Sequence, residues 1–245
     1  MPPAFVAWFR SALAHSTGFV CISRAVADEL HDLLVGIDFP RPMKIGHWPL
    51  GADFGTGLSA TAKDDARSSG HASFLMVGTI EPRKGHSVAL DAFEMLWAEG
   101  VAADLIIVGR PGWGVDHVTR RIEQHPEFGR RLLWFRKVDD EGLAALYRQS
   151  DALVASSFAE GFGLPIVEAG HFGKPVIASD LPVFREVSAG ASEARFFECG
   201  SASALADAVR GFLAEGPQPT PSAPPPRPLW PGWGESTAAL ARVVC

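Results

Sequence analysis

Two short stretches of this sequence bring together residue types that do chemistry. The first is Thr79-Ile-Glu-Pro-Arg-Lys-Gly85, which sets Arg83 and Lys84 side by side before a glycine and a helical segment. Adjacent cations at a helix start, where unpaired backbone N–H groups carry partial positive charge, suit a diphosphate. Read alone, so short a motif is equally a solvated basic turn. The second is Ser156-Ser-Phe-Ala-Glu-Gly-Phe-Gly-Leu-Pro165, with Glu168 beyond it. Gly161 and Gly163 let the backbone approach a ligand closely. Pro165 suits the first turn of a helix, so the N–H groups of Phe162, Gly163 and Leu164 are expected to point outward at a helix N-terminus. Glu160 then lies at the mouth of the helix and Glu168 about one turn past Pro165. A carboxylate at the mouth can accept from sugar hydroxyls and oppose developing oxocarbenium charge. One on the helix can grip a ribose diol, as acids do in dinucleotide sites. Taken singly, each acid also has a plainer reading: Glu160 as a charge favoured by the helix dipole, Glu168 as a solvent-facing helical residue.

The elements that must position these residues alternate. Apolar strands are expected at 73–78, 103–109, 132–135, 152–155, 175–178 and 194–197. Helices are expected at 87–97, 115–125, 140–149, 163–172, 182–186 and 201–214. Continuous apolar strands, each followed by a helix, predict an α/β fold: a Rossmann-like parallel sheet with helices on both faces. Ligands bind such sheets beyond the carboxyl ends of the strands, where both stretches fall. Before this core, 5–13 has helical apolar spacing, 18–22 reads as a buried strand, and Ser23 caps a helix over 24–34. After it, the Pro-rich run 216–228 cannot be an ordinary helix or inner strand, and 230–244 resumes as a helix.

The chain of 245 residues is 47% hydrophobic and 20% charged, an ordinary globular composition, and carries a net charge of −6. That balance argues against a nucleic-acid partner, which calls for a basic face. The three cysteines, Cys21, Cys199 and Cys245, have neither metal-ligand spacing nor the pattern of a disulfide framework, which points to a reducing cytoplasm. No apolar run is long enough to span a bilayer, and the N-terminus, broken by Arg10 and His15, is not read as a signal peptide. Asp139-Asp-Glu141 resembles a metal-binding acidic cluster, but acids at a helix start have an ordinary dipole explanation. His171 is a tempting proton donor whose place in a packed helix favours a structural role.

Glu160-x7-Glu168 with its internal Gly-Phe-Gly-Leu-Pro, followed by Glu168-Ala-Gly-His-Phe-Gly-Lys-Pro-Val-Ile177, resembles the signature of the retaining GT-B glycosyltransferases of group 1 (family 4). Val77-Gly-Thr-Ile-Glu-Pro-Arg-Lys-Gly85 resembles that family's phosphate-binding segment, most of all in its bacterial mannosyltransferase members. Leu143-Ala-Ala-Leu-Tyr-Arg-Gln-Ser-Asp151 resembles the helix and strand leading into the acidic motif. The resemblance implies transfer of a sugar, with mannose from GDP-mannose as the expected donor, to an acceptor hydroxyl with retention, in bacterial polysaccharide or O-antigen assembly. It implies that Arg83 and Lys84 hold the diphosphate, and that Phe162, Gly163 and Leu164 meet phosphate or sugar through their backbone. Glu160 would contact the sugar and Glu168 the ribose. The base would lie near Gly109, Arg110 and Val138, with Leu143 packing on it. No cofactor and no catalytic metal are expected, the cation pair taking the place of a divalent ion.

The same resemblance divides the chain into 1–43, a remnant of the N-terminal GT-B domain, 44–214, the nucleotide-sugar-binding domain, and 215–245, a Pro-rich linker and C-terminal helix. His47-Trp-Pro-Leu-Gly-Ala-Asp53 resembles the segment entering the second domain. On this resemblance most of the N-terminal domain is expected to be missing. The expected partners are a nucleotide-sugar donor and a glycan or lipid-linked acceptor, together with a separate N-terminal half or an assembly at the membrane surface. The expected location is the cytoplasm, peripheral at the inner membrane face. The alternative reading is a non-catalytic nucleotide-sugar-binding half that needs a partner acceptor domain. Thr79 departs from the pattern, standing where many relatives have an arginine for the phosphates, and Arg83 is expected to compensate. A Rossmann dehydrogenase is disfavoured because no Gly-x-Gly-x-x-Gly follows a first strand.

Overall fold

A computed structural model of the chain describes residues 3–37, 42–52, 70–188, 193–216 and 230–244. Asp53 and nearly all of the Pro-rich run lie outside these residues. Six strands form one parallel sheet: β3 (Ala72–Val77), β4 (Ala103–Val108), β5 (Leu132–Phe135), β6 (Ala152–Ala155), β7 (Val176–Ser179) and β8 (Ala194–Phe197). Their spatial order is β5-β4-β3-β6-β7-β8. Counted within the sheet this is 3-2-1-4-5-6, the doubly wound order, whose direction reverses between β3 and β6. Every residue of β4 is buried, as a strand covered on both faces requires.

Side-chain alternation sorts the strands into two layers. Phe74, Met76, Leu105 and Ile107 face one side, against α3 (His86–Ala98), α4 (Asp116–Glu123) and α8 (Ala202–Glu215). Phe74 meets Phe93 and Phe212 edge-on, with ring centroids 5.6 Å and 5.7 Å away. Each such buried ring contributes about 1.5–3 kcal/mol by leaving water, and edge-on pairing adds about 0.5–1.5 kcal/mol. Leu75, Ile106 and Val108 face the other side. They pack with α5 (Asp140–Gln149), α6 (Leu164–His171) and α7 (Pro182–Val187), through Tyr147, Ile166 and Phe184 among others.

The N-terminal segment is a separate layer: α1 (Pro3–His15), β1 (Gly18–Cys21), α2 (Arg24–Leu34) and β2 (Lys44–His47). β1 and β2 make their own two-stranded parallel sheet, so the expected division at 43/44 falls between two paired strands. A Cβ on Gly18 would lie 2.7 Å from the Lys44 carbonyl oxygen, which explains the glycine there. α9 (Trp233–Val244) returns to this layer. Buried Ser236 accepts from Trp48 Nε1 (2.9 Å) and donates to the Pro49 carbonyl (2.7 Å).

The expected helix over 115–125 is shorter than its apolar spacing suggests. α4 ends at Glu123, and His125 turns its ring against Trp97 (5.2 Å) and toward Glu94 (3.1 Å). Among the described residues no helix is long and apolar enough to cross a membrane.

Candidate functional site

Both chemistry-bearing stretches leave the carboxyl ends of β3 and β6, the neighbouring strands at the switch point. The β3 loop passes Gly78 and Thr79 into a single 3-10 turn, Pro82–Lys84. Gly85 follows in the left-handed region, with φ 68°, and starts α3. A Cβ on Gly85 would stand 1.9 Å from the Ser156 carbonyl oxygen, so only glycine lets the two loops touch. They are also tied by hydrogen bonds. Phe158 N–H donates to the Arg83 carbonyl (2.7 Å), and the buried Ser156 hydroxyl donates to the Gly85 carbonyl (2.9 Å).

The β6 loop ends at Gly163, which has φ 98° and caps the start of α6. Because α6 begins at Leu164, the N–H groups ahead of Pro165 have no intrahelical partner, as at any helix start. A Cβ on Gly163 would press on Phe184 of α7 at 3.0 Å. Glu160 is drawn into the basic turn. Its carboxylate, only 8% exposed, pairs with the Lys84 ammonium, accepts from Arg83 Nη1 at 2.9 Å and accepts from the Ser157 hydroxyl at 3.3 Å. Arg83 Nε also pairs with Glu81 at 3.0 Å.

Glu168 is not the solvent-facing helical acid of the plainer reading. It accepts from the Tyr147 hydroxyl at 2.7 Å, and Tyr147 is stacked on Phe172 with ring centroids 5.2 Å apart. Burial pushes the Glu168 carboxyl above the usual carboxylate range; the Tyr147 hydrogen bond pulls the other way, and Asp140 adds to the rise. Tyr147 itself is held well above its ordinary value, first by burial and then by the Glu168 charge and hydrogen bond.

These groups open onto one cleft of about 1090 Å³. Arg83, Lys84, Leu143, Glu160, Phe162, Gly163, Leu164 and Glu168 all line it, and so does Thr79. Gly109, Arg110 and Val138 do not. Gly109 answers a backbone need, since a Cβ there would lie 1.9 Å from the Gly78 carbonyl oxygen, and its own carbonyl accepts from Trp134 Nε1 at 2.9 Å. Exposed Arg110 offers its carbonyl to Ile80 N–H at 2.8 Å. Val138 packs on the core layer that also holds Leu143. His171 sits in the last turn of α6 and does not line the cleft. Asp139 caps α5, accepting from Gly142 N–H at 2.8 Å. Sequence reasoning missed Ile22, Leu50 and Phe5 as lining residues, and Tyr147 as the partner of Glu168. Tyr147 lies one helical turn beyond Leu143 on the same face, a signal that could have found it.

A doubly wound sheet with a charged cleft at its switch point is the architecture of the Rossmann-like, C-terminal domain of GT-B proteins. Residues 60–221 match the family model for glycosyl transferases group 1, and the chain belongs to that family. It is 37% identical over 220 residues to a serotype-specific mannosyltransferase WbdA of Escherichia coli, an alignment covering 86% of this chain and 27% of that protein. The chain thus spans about a quarter of the length of this curated relative. The fold is similar to that of sucrose-phosphate synthase (tll1590) from Thermosynechococcus elongatus, with a TM-score of 0.75 at 21% identity, covering 99% of this chain and 61% of that one. It is also similar to that of Anabaena Alr3699/HepE, solved in complex with UDP and glucose, with a TM-score of 0.72 at 17% identity, covering 96% and 64%.

Proposed function

We propose that this chain is the donor-binding part of a retaining glycosyltransferase that moves a mannosyl group from GDP-mannose to a hydroxyl of a glycan or lipid-linked acceptor. The observation that carries the reading is the convergence of Arg83, Lys84 and the α6 N-terminus on one cleft, with Glu160 between them. Two fixed cations and a helix start match the charge of a diphosphate, so no metal ion is required. The 37% identity to a mannosyltransferase supports the choice of sugar.

In this reading the bond from the anomeric carbon to the β-phosphate oxygen breaks, and the acceptor oxygen forms its bond on the same face. The acceptor proton passes to the departing phosphate oxygen. Arg83, Lys84 and the helix N–H groups stabilise the charge that accumulates there. Glu160 holds sugar hydroxyls and opposes the positive charge on the ring, while Glu168 receives the ribose diol. Residues 1–43 act as an acceptor-side segment, 44–214 as the donor domain and 215–245 as the returning linker and helix. The site of action is the cytoplasmic membrane face, in O-antigen assembly.

A second reading is a donor-binding unit that turns over only with a partner acceptor domain. Calorimetry with GDP, GDP-mannose and UDP-glucose tests the donor site. Wild type is expected to bind the guanosine ligands and Lys84→Ala to lose them; unchanged GDP affinity in that variant would end the phosphate assignment. Mannosyl transfer by the chain alone, against transfer only with a partner half, separates the two readings.

A further inference from the structure

Gly161 and Gly163 leave the acidic loop with two freely turning residues beside Glu160, and a loop so built does not hold a carboxylate in place unaided. In this structure Arg83 and Lys84 hold it, and once a diphosphate takes those cations something else outside the loop has to. Fully buried Ser23, 138 residues away in sequence, donates its hydroxyl proton to the Gly161 carbonyl at 2.8 Å. The direction is set by chemistry. The same oxygen accepts from Val26 N–H at 3.2 Å, so the one hydroxyl proton is free for Gly161. Ile22 lies where a side chain on Gly161 would stand, 2.9 Å from such a Cβ. The segment carrying Ile22 and Ser23 is itself anchored: the Glu186 carboxylate of α7 accepts from Arg24 N–H at 2.9 Å and Ala25 N–H at 2.8 Å. Phe184, on the same helix, bears on Gly163. Both glycines are therefore held by one connected frame, and Ser23 is its direct hydrogen bond to the loop.

We infer that Ser23 is a positioning residue, which clamps the Gly161 peptide so that Glu160 meets the sugar of a bound nucleotide sugar. The inference rests on the proposed reading of the cleft. Ser23 lies outside the family-matched span of 60–221, so the acidic loop takes its register from a segment beyond the donor domain proper. The nucleoside diphosphate is gripped chiefly from the β3 side by Arg83 and Lys84 and depends on this clamp less than the sugar does.

The experiment compares Ser23→Ala, Ser23→Gly and Ser23→Thr in the whole chain, with GDP and GDP-mannose as calorimetric probes and amide hydrogen exchange at residues 161–164 without ligand. Ser23 also caps α2. Glycine is tolerated at an N-cap far better than alanine, so Ser23→Gly removes the clamp and largely spares the cap, and it decides the matter if Ser23→Ala does not fold. GDP-mannose affinity is expected to fall about three- to ten-fold, the worth of one hydrogen bond. GDP affinity is expected to hold within about two-fold, exchange at 161–164 to quicken, and Ser23→Thr to behave as wild type. Equal loss of both ligands, or unchanged exchange in Ser23→Gly, overturns the inference. Wild-type protein that ignores GDP, or Lys84→Ala that retains it, counts instead against the donor-site reading, and the exchange data then judge the clamp alone.

Discussion

Lys84 and Glu160, 76 residues apart in sequence, form an ion pair in the cleft, and Arg83 joins it from the other carboxylate oxygen at 2.9 Å. In this state the acid occupies the cations that a diphosphate would need. In the proposed reading the pair is a stand-in: an incoming diphosphate would take over Arg83 and Lys84 and release Glu160 toward the sugar.

This exchange makes a prediction opposite in sign to simple loss of a binding residue. Glu160→Gln keeps the shape and removes the competing charge. Its affinity for GDP is expected to rise, by roughly three- to ten-fold if the displaced pair is worth about 1 kcal/mol. The gain should shrink as salt is added, while mannosyl transfer falls. Calorimetry at two salt concentrations checks it, and weaker GDP binding by Glu160→Gln would refute the exchange.

Glu168 and Tyr147 carry a cost that the proposed ribose-binding role would explain. The Glu168 carboxyl is raised in the folded protein, mainly by burial. The folded state therefore holds its proton more tightly than the unfolded state, and stability falls as pH rises from the ordinary carboxylate value through the raised one. Glu168→Gln, whose amide oxygen can still accept from Tyr147, is expected to melt higher than wild type at neutral pH. The difference should vanish below the usual carboxylate range, and, with Glu168 holding the ribose as proposed, GDP affinity should drop. Thermal melts across pH 3–8 decide it; a variant that melts lower at pH 7 would contradict the argument.

What the sequence made legible follows from the range of the interactions. The six-stranded sheet was readable because a strand buried on both faces, such as β4, is an unbroken apolar run. Eight of the expected site residues share the cleft because local motifs carried them there. Long-range pairings were not readable. Ser23 looked like a helix cap, which it is, but nothing near it announced Gly161. Glu168 looked solvent-facing because the ring that buries it comes from another helix. Gly109 was expected near the base, and its lack of a side chain also answers the close approach of Gly78, which nothing local announced. The strand at 44–47 followed a presumed boundary, and its partner β1 lies before it.

Gly85 offers a test of how the two loops are coupled. With φ 68° and the Ser156 carbonyl oxygen 1.9 Å from any added Cβ, Gly85→Ala meets backbone strain and a backbone collision together. The strain alone costs about 1–2 kcal/mol, and the collision forces the β3 and β6 loops apart. Gly129, with φ 76° and open space around it, isolates the first cost. In urea unfolding Gly85→Ala is expected to lose at least about 2 kcal/mol and to bind no GDP, with Gly129→Ala losing about 1 kcal/mol and binding normally. Equal losses would show that the loops do not need their contact.

His86, the first residue of α3, is 2% exposed, and neither ring nitrogen has a hydrogen-bond partner among the described residues. Burial, with the neighbouring Lys84 charge second, lowers its pKa from 6.5 to about 3. The folded protein thus keeps this ring neutral where the unfolded chain protonates it, so stability is full above pH 6.5 and is lost as pH falls from there toward 3. The slope from this one group is at most about 1.4 kcal/mol per pH unit. His86→Leu removes both the titration and the unpartnered nitrogens at similar volume. It is expected to match or exceed wild-type stability at pH 7.5 and to exceed it increasingly as pH drops to 4.5. Because the leucine carries no charge toward Lys84, GDP affinity should not change. Chemical unfolding at several pH values measures the difference, and parallel pH curves for the two proteins would mean that His86 finds water or a partner in the folded state.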